Sequence, residues 1–199
     1  MATRHDIITL PNPRLRQESG IINSINESVK KLVGEMEQAT LDWEDSREHE
    51  FGVALAAVQI DALQRVIVVR SDLDDKDNRA FDVYINPEIT RYDGEPEFEL
   101  EGCLSVKDVY GKVPRYPKIK IKALNLKGER IKFIAKGFKA RMFQHEIDHI
   151  NGITFVDRLG PDADYLKLHA SGDMVELNLE ELKVLVKDLE IDGTQRHEK

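Results

Sequence analysis

One cysteine, Cys103, stands in a chain of 199 residues. It cannot close an internal disulfide, so the fold does not depend on an oxidising compartment. No stretch approaches the roughly 20 apolar residues of a membrane span. Met1-Ala-Thr-Arg-His-Asp6 opens without the apolar run of a secretory signal. The cytoplasm is the expected location, with an organelle left open for a chain whose transit peptide has been removed. Net positive charge is lacking too: the formal charge is −8 and the pI about 5.3. That balance argues against broad attraction to nucleic acid or an anionic membrane, and neither is an expected specific partner. Lys118, Lys120 and Lys122 alternate with Ile119, Ile121 and Ala123, which reads as one solvated strand face. Internal repeats and low-complexity blocks are absent.

What is present is a series of short, punctuated segments. With 41% hydrophobic residues, the chain suits one soluble domain with a substantial core. Pro11-Asn12-Pro13 marks an extended opening. Ser24 or Asn26 is a candidate cap for a helix to about Asp42, with Val29, Leu32, Val33, Met36 and Ala39 on its apolar face. Residues 43–50 read as a loop. The small apolar run from Phe51 to Ile60 suits a backbone approached closely by another group. Arg65 to Val69 reads as a buried strand, and Phe81 to Ile85 as a strand ended by Asn86-Pro87. Thr90 to Leu100 alternates around Asp93-Gly94, a hairpin signal; Ile119 to Leu126 and Glu129 to Ile134 flank Lys127-Gly128, a second. A helix is expected over Phe138 to Ile150, stopped by Asn151-Gly152. A last helix is expected over Leu177 to Leu189, striped by Leu179, Leu182, Leu185, Val186 and Leu189, before a frayed tail from Thr194. A strand-rich middle with helices at both ends predicts α+β.

The chemistry concentrates in residues 144–149, Gln-His-Glu-Ile-Asp-His. His145 and His149 are one helical turn apart, so both imidazoles can project toward one metal ion, with Glu146 beside it. A metal that polarises water next to a carboxylate base is hydrolytic machinery. The plainer alternative is a helix with two hydrogen-bonded histidines. Cys103 has two readings. It is a small core residue, or it is a third ligand, leaving one position open for water. A thiolate with two imidazoles suits iron(II), zinc, cobalt or nickel over magnesium or calcium. A protease-type site would instead draw its third ligand from His169 or Glu176. A structural metal clip would need neither Glu146 nor Gln59. Gln59 ends an apolar run and offers a neutral N–H donor suited to an oxyanion. Gly102 would let the strand bearing Cys103 press on the helix. Asp148 and Arg115 read as supporting structure; Glu101 is either a buried partner or a plain strand residue.

Three blocks then line up: Gly52-Val-Ala-Leu-Ala-Ala-Val-Gln59, Glu101-Gly-Cys-Leu-Ser105 and Gln144-His-Glu-Ile-Asp-His149. In this order and spacing they resemble the three signature motifs of the peptide deformylases. Ile8-Thr-Leu-Pro-Asn-Pro-Arg-Leu-Arg16 is similar to that family's start, and the resemblance covers about residues 5 to 160. Two departures stand out: Ala54 where the family usually has glycine, and Lys107 where it often has proline. The resemblance implies hydrolytic removal of the formyl group from N-formylmethionine on nascent polypeptides, releasing formate. It implies Cys103, His145 and His149 as metal ligands, with iron(II) as native metal and zinc, nickel or cobalt able to substitute. It implies Glu146 as general base and then acid, and Gln59 with the Leu104 N–H as oxyanion donors. Val53, Ala54, Phe138 and Met142 are candidate substrate contacts, with the extra methyl of Ala54 expected to alter peptide selectivity. The expected fold is α+β: a single domain of antiparallel strands around a central metal-binding helix, with an N-terminal and a C-terminal helix. Residues 1–165 would be the catalytic domain and 166–199 an extension with one helix. The formylated peptide is the expected partner, together with a transient association with the ribosome.

Overall fold

The computed structural model of the chain describes residues 2–47, 50–159, 164–169 and 171–185. The first long helix, α1 (Glu27–Asp45), is capped by Asn26, whose side chain accepts the Ser28 and Val29 N–H groups. Its buried stripe is the expected one, Val29, Leu32, Val33, Met36 and Ala39. The helix passes its expected end at Asp42 and takes in Trp43 and Glu44. Glu44 explains the extension: it is buried, accepts the Gly52 N–H at 3.0 Å and faces Arg70 at 3.5 Å. That tie rewards one further helical turn.

Five strands form an antiparallel sheet in the order β1-β2-β3-β6-β7: β1 (Ala54–Ala56), β2 (Val66–Arg70), β3 (Phe81–Asp93), β6 (Lys118–Leu124) and β7 (Arg130–Lys136). Alternation divides β2 between two cores. Val66 and Val68 pack toward α1, while Ile67 and Val69 pack toward the second long helix, α2 (Phe138–Ile150). A strand covered on both faces reads as an unbroken apolar run, which is how this segment appears in the sequence.

Two strand readings are corrected. β3 does not end at Asn86-Pro87. It continues through an irregularity between Ile85 and Glu88, where Asn86 takes φ +49° and its amide bonds both backbone groups of Ile22. The proline sits in the bulge, where no ladder N–H is required. Asp93-Gly94 does not turn a hairpin either. β3 pairs with β6, and β4 (Glu97–Cys103) belongs to a second sheet with β5 (Val106–Arg115), β8 (Tyr165–Leu168) and β9 (Met174–Leu177), in that order. Gly94, at φ +92°, carries the chain from one sheet to the other. Period-2 alternation marks a half-buried strand but does not choose its partner.

The actual hairpin joins β4 to β5 (Val106–Arg115) across Leu104-Ser105, a turn without glycine, asparagine or proline to announce it. The β6–β7 hairpin forms where expected, around Asn125 to Gly128. β8 (Tyr165–Leu168) and β9 (Met174–Leu177) complete the second sheet, with β8 hydrogen-bonded to β5. Leu177 therefore ends a strand rather than starting a helix. Asn178 makes the switch, exchanging capping bonds with Glu181. The described part of the last helix, α3, is Leu179–Leu185, with Leu182 buried against β5 and Phe155. Val186, Leu189 and the tail from Thr194 lie outside the described residues. No helix among the described residues is long and apolar enough to cross a membrane.

The α+β expectation is met, and α2 sits at its centre. Ala140, Met142, Phe143, Ile147 and Ile150 face the five-stranded sheet. The polar side of α2 meets β4 and β5 instead. Every residue from Ala140 to Ile150 is buried, so each polar group on that stretch needs a partner.

Candidate functional site

The polar side of α2 is where the three sequence blocks meet. His145 and His149 project from successive turns with ring centroids 4.8 Å apart. Cys103 closes β4, and the tight turn after it brings Sγ to 3.1 Å from His149 Nε2. Sγ and one nitrogen of each imidazole lie within 4.8 Å of one another, the one such group of three among the described residues. His169 and Glu176 lie on or beside the β8–β9 hairpin and are not part of it.

These residues fit a divalent metal on the chemistry of their donors. A sulfur and two imidazole nitrogens converge, and Glu101 takes the far nitrogen of one ring: its Oε2 lies 3.0 Å from His145 Nδ1. That contact leaves His145 Nε2 for the cation, the usual way a ligating imidazole is oriented. Glu101 was an even choice in the sequence; its signal was strand parity. Residues 101 and 103 point to the same face of β4, so the carboxylate belongs beside the sulfur.

Beneath the rings lies a buried charge network. Arg115 binds Glu101 through Nε and Nη2 at 3.0 and 3.1 Å, and it also binds Asp148. Arg141 donates to Glu101, to Glu99 and to the Val113 and Glu97 carbonyls. Arg158 closes on Asp148. Asp148 thus supports Arg115, as its place on the helix implied. Burial alone would raise the Glu101 pKa, but Arg115 and His145 hold it well below the usual carboxylate range. Burial would lower His145, but Cys103 and Glu101 outweigh it and raise the ring well above its ordinary value. His149 moves the other way, because burial and the neighbouring His145 charge both oppose its protonation.

Glu146 points into the same space without touching Cys103. Burial pushes its carboxyl up to about 7, and its Oε2 has no hydrogen-bond partner among the described residues. Gln59 is fixed by both ends. Its Oε1 accepts the Ala56 N–H at 2.8 Å, which leaves Nε2 to donate to Ser105 Oγ at 3.1 Å and face Cys103 Sγ at 3.6 Å. The opening segment holds both neighbours: the Ile8 N–H donates to the Gln59 carbonyl and the Leu10 N–H to that of Ser105. Among the described residues nothing accepts the Leu104 N–H.

A cleft of about 510 Å³ opens above these groups. Val53, Ala54, Leu104, Phe138 and Met142 line it, together with Gln59, Cys103, His145 and Glu146. Phe138 is half exposed at the rim, whereas Met142 is buried. The sequence missed Arg141 as part of this wall and Tyr110 as part of the outer end. Gly102 has a different purpose from the one expected. A Cβ there would come within 2.4 Å of the Tyr110 ring, so glycine admits that ring rather than the helix. β1 is the edge strand of its sheet, so one side of its backbone is open to the cleft.

The fold and site define an α+β protein with a Cys-His-His metal-binding group beside a buried glutamate. A family model for polypeptide deformylase matches residues 4–164, and the chain belongs to that family. Peptide deformylase from Thermomicrobium roseum is 42% identical over 162 residues, covering 80% of this chain and 87% of the relative. That from Desulforudis audaxviator is 40% identical over 152 residues, covering 76% and 91%. The crystal structure of a Synechococcus elongatus peptide deformylase in complex with actinonin aligns with a TM-score of 0.69 at 31% identity, covering 78% of this chain and 79% of that one.

Proposed function

We propose that the chain hydrolyses the formamide of N-formylmethionine at the start of nascent polypeptides, releasing formate. The observation that carries this reading is the convergence of Cys103, His145 and His149 beside Glu146, whose Oε2 has no hydrogen-bond partner among the described residues. Cys103 Sγ and the two imidazoles would hold iron(II), with zinc, nickel or cobalt able to substitute. A bound divalent metal supplies Lewis acidity toward the formyl oxygen and lowers the pKa of water.

The remaining work falls to the chain's own groups. Glu146 takes a proton from the attacking water and returns it to the departing amine; a carboxyl poised near neutrality by burial suits both transfers. Gln59 Nε2 and the Leu104 N–H donate to the oxygen that gains negative charge. Both are held in advance, which is what makes such donors effective. Glu101 keeps His145 in one tautomer, and Arg115 keeps Glu101 ionised. Val53, Phe138 and Met142 offer an apolar wall for an unbranched thioether. The open edge of β1 suits a substrate backbone added as a further strand. On this reading the catalytic machinery lies within residues 1–165, and residues 166–199 extend it. A transient meeting with the ribosome follows from a substrate that is a nascent chain.

The test is anaerobic purification with metal analysis, followed by formate release from formyl-Met-Ala-Ser. The expected outcome is about one transition metal per chain and turnover that a chelator abolishes. Stoichiometric metal without formate would leave a structural clip and remove the enzyme.

A further inference from the structure

We propose that the outer face of β6 and β7 binds RNA through its phosphate backbone. Alternation along the two strands, with the register of β3, brings seven cations to one side of the sheet. They are Arg91, Lys118, Lys120, Lys122, Lys132 and Lys136, with Arg130 at one end. α1 covers this side of the sheet over β1 and β2, and beyond it the face is open. Among the described residues the carboxylates paired with these cations are Glu88, with Lys122, and Asp93, with both Lys118 and Arg91. Lys120, Arg130, Lys132 and Lys136 form no ion pair among the described residues. All this occurs in a chain of net charge −8, so the face is a local reversal of the protein's field.

The register makes the arrangement costly. Lys118 lies directly opposite Lys136, Lys122 opposite Lys132, and Arg91 opposite Lys120. Like charges in facing positions destabilise a sheet. Lysines on an edge strand guard against unwanted pairing, which would account for β7. It does not account for β6, an interior strand between β3 and β7. Three lysines there serve no edge. On β6 the three lysines stand two residues and so about 6.8 Å apart, and on β7 Arg130, Lys132 and Lys136 flank them with Ile134 interrupting the row, a spacing of cations that matches a run of phosphates. The one exposed apolar side chain among them, Ile134, offers no groove for a hydrophobic anchor. No aromatic side chain alternates with the lysines of β6, so the contact is to backbone rather than to bases. The face lies on the opposite side of the sheet from α2, which leaves the cleft free while RNA is bound. This inference does not rest on the deformylase reading.

The experiment is fluorescence anisotropy of the full chain with a labelled RNA of about 20 nucleotides, across about 50 to 200 mM salt. The parent is compared with K120E/K132E/K136E and with a matched reversal elsewhere, K30E/K31E/K183E. The expected result for the parent is a Kd of about 10⁻⁴ to 10⁻⁶ M and a log–log salt slope of about −3, as four neutralised phosphates would give. The face variant should bind at least about tenfold weaker with a flatter slope, and the matched variant should bind much more nearly like the parent. The face variant should also melt no lower than the parent, since each change turns a repulsive cross-strand pair attractive, and it should hydrolyse formyl peptides unchanged. Equal weakening by the two triple variants, no RNA binding by the parent, or capture by phosphatidylserine vesicles but not RNA would each overturn the proposal.

Discussion

Glu101 Oε2 meets His145 Nδ1 at 3.0 Å, and the same carboxylate is clamped by Arg115 and Arg141. Two guanidiniums and an imidazole share one buried acid. Glu101→Gln should therefore lower metal affinity by about 10- to 100-fold, because the ring loses the partner that fixes its tautomer. Glu101→Ala should also destabilise the fold by about 3–5 kcal/mol, since it takes the shared carboxylate from two buried cations. A chelator titration and a thermal melt separate the two effects. Unaltered metal affinity in Glu101→Gln would show that the contact orients nothing.

Glu146 is expected to matter for turnover and not for metal retention. Glu146→Gln keeps the shape and removes the base. It should lower kcat by about 10²- to 10⁴-fold while metal content stays at the parental level. Loss of the metal along with activity would make Glu146 a ligand instead.

Cys103 brings a liability with its donor. With iron(II) bound, the half-buried Cys103 sulfur would sit beside an oxidisable metal and would be lost in air. Iron-loaded protein should lose formate-releasing activity faster than nickel- or cobalt-loaded protein under oxygen, and equally slowly without it. Identical decay for all metals under oxygen contradicts this.

Ala54 has two duties that pull apart. Its methyl belongs to the core cluster beneath β1, and the residue also lines the cleft. Ala54→Gly should raise kcat/KM on formyl-Met peptides by easing the approach of the substrate backbone. It should also lower stability by about 0.5–1 kcal/mol, the usual difference between the two residues in a strand. An unchanged kcat/KM leaves this methyl without a functional role.

Arg70 braces the same strand from behind. It is buried between the Phe51 and Phe81 rings and faces Glu44, which holds the Gly52 N–H. Arg70→Met keeps most of the volume and removes the charge. It should destabilise by about 3–5 kcal/mol and raise KM several-fold with little change in kcat. An unchanged KM in a folded variant separates Arg70 from substrate binding.

Much of the site was legible because its chemistry is local. Helical spacing of His145 and His149 fixes their shared face, and α2 forms over the residues expected for it. The match of Cys103 to these rings was legible only through the three blocks together, since nothing near Cys103 in the chain announces a metal. Strand pairing was the weak point. Asp93-Gly94 resembles a hairpin turn but changes sheets, and Leu104-Ser105 is a hairpin turn that resembles nothing of the kind. Partner choice is set by which faces must be buried, a property of the whole molecule. Arg141 escaped notice because its guanidinium is held by groups from Glu97, Glu99, Glu101 and Val113, which only folding gathers.

The helix that carries both imidazoles is wedged between two sheets. It cannot slide along its axis or fray at its middle without tearing the core beneath the five-stranded sheet and the charge network against β4 and β5. Amide exchange from His145 to His149 should thus track global opening, whereas Cys103 rides on the end of a hairpin. Any breathing of the ligand sphere would be a movement of sulfur toward or away from a fixed pair of rings.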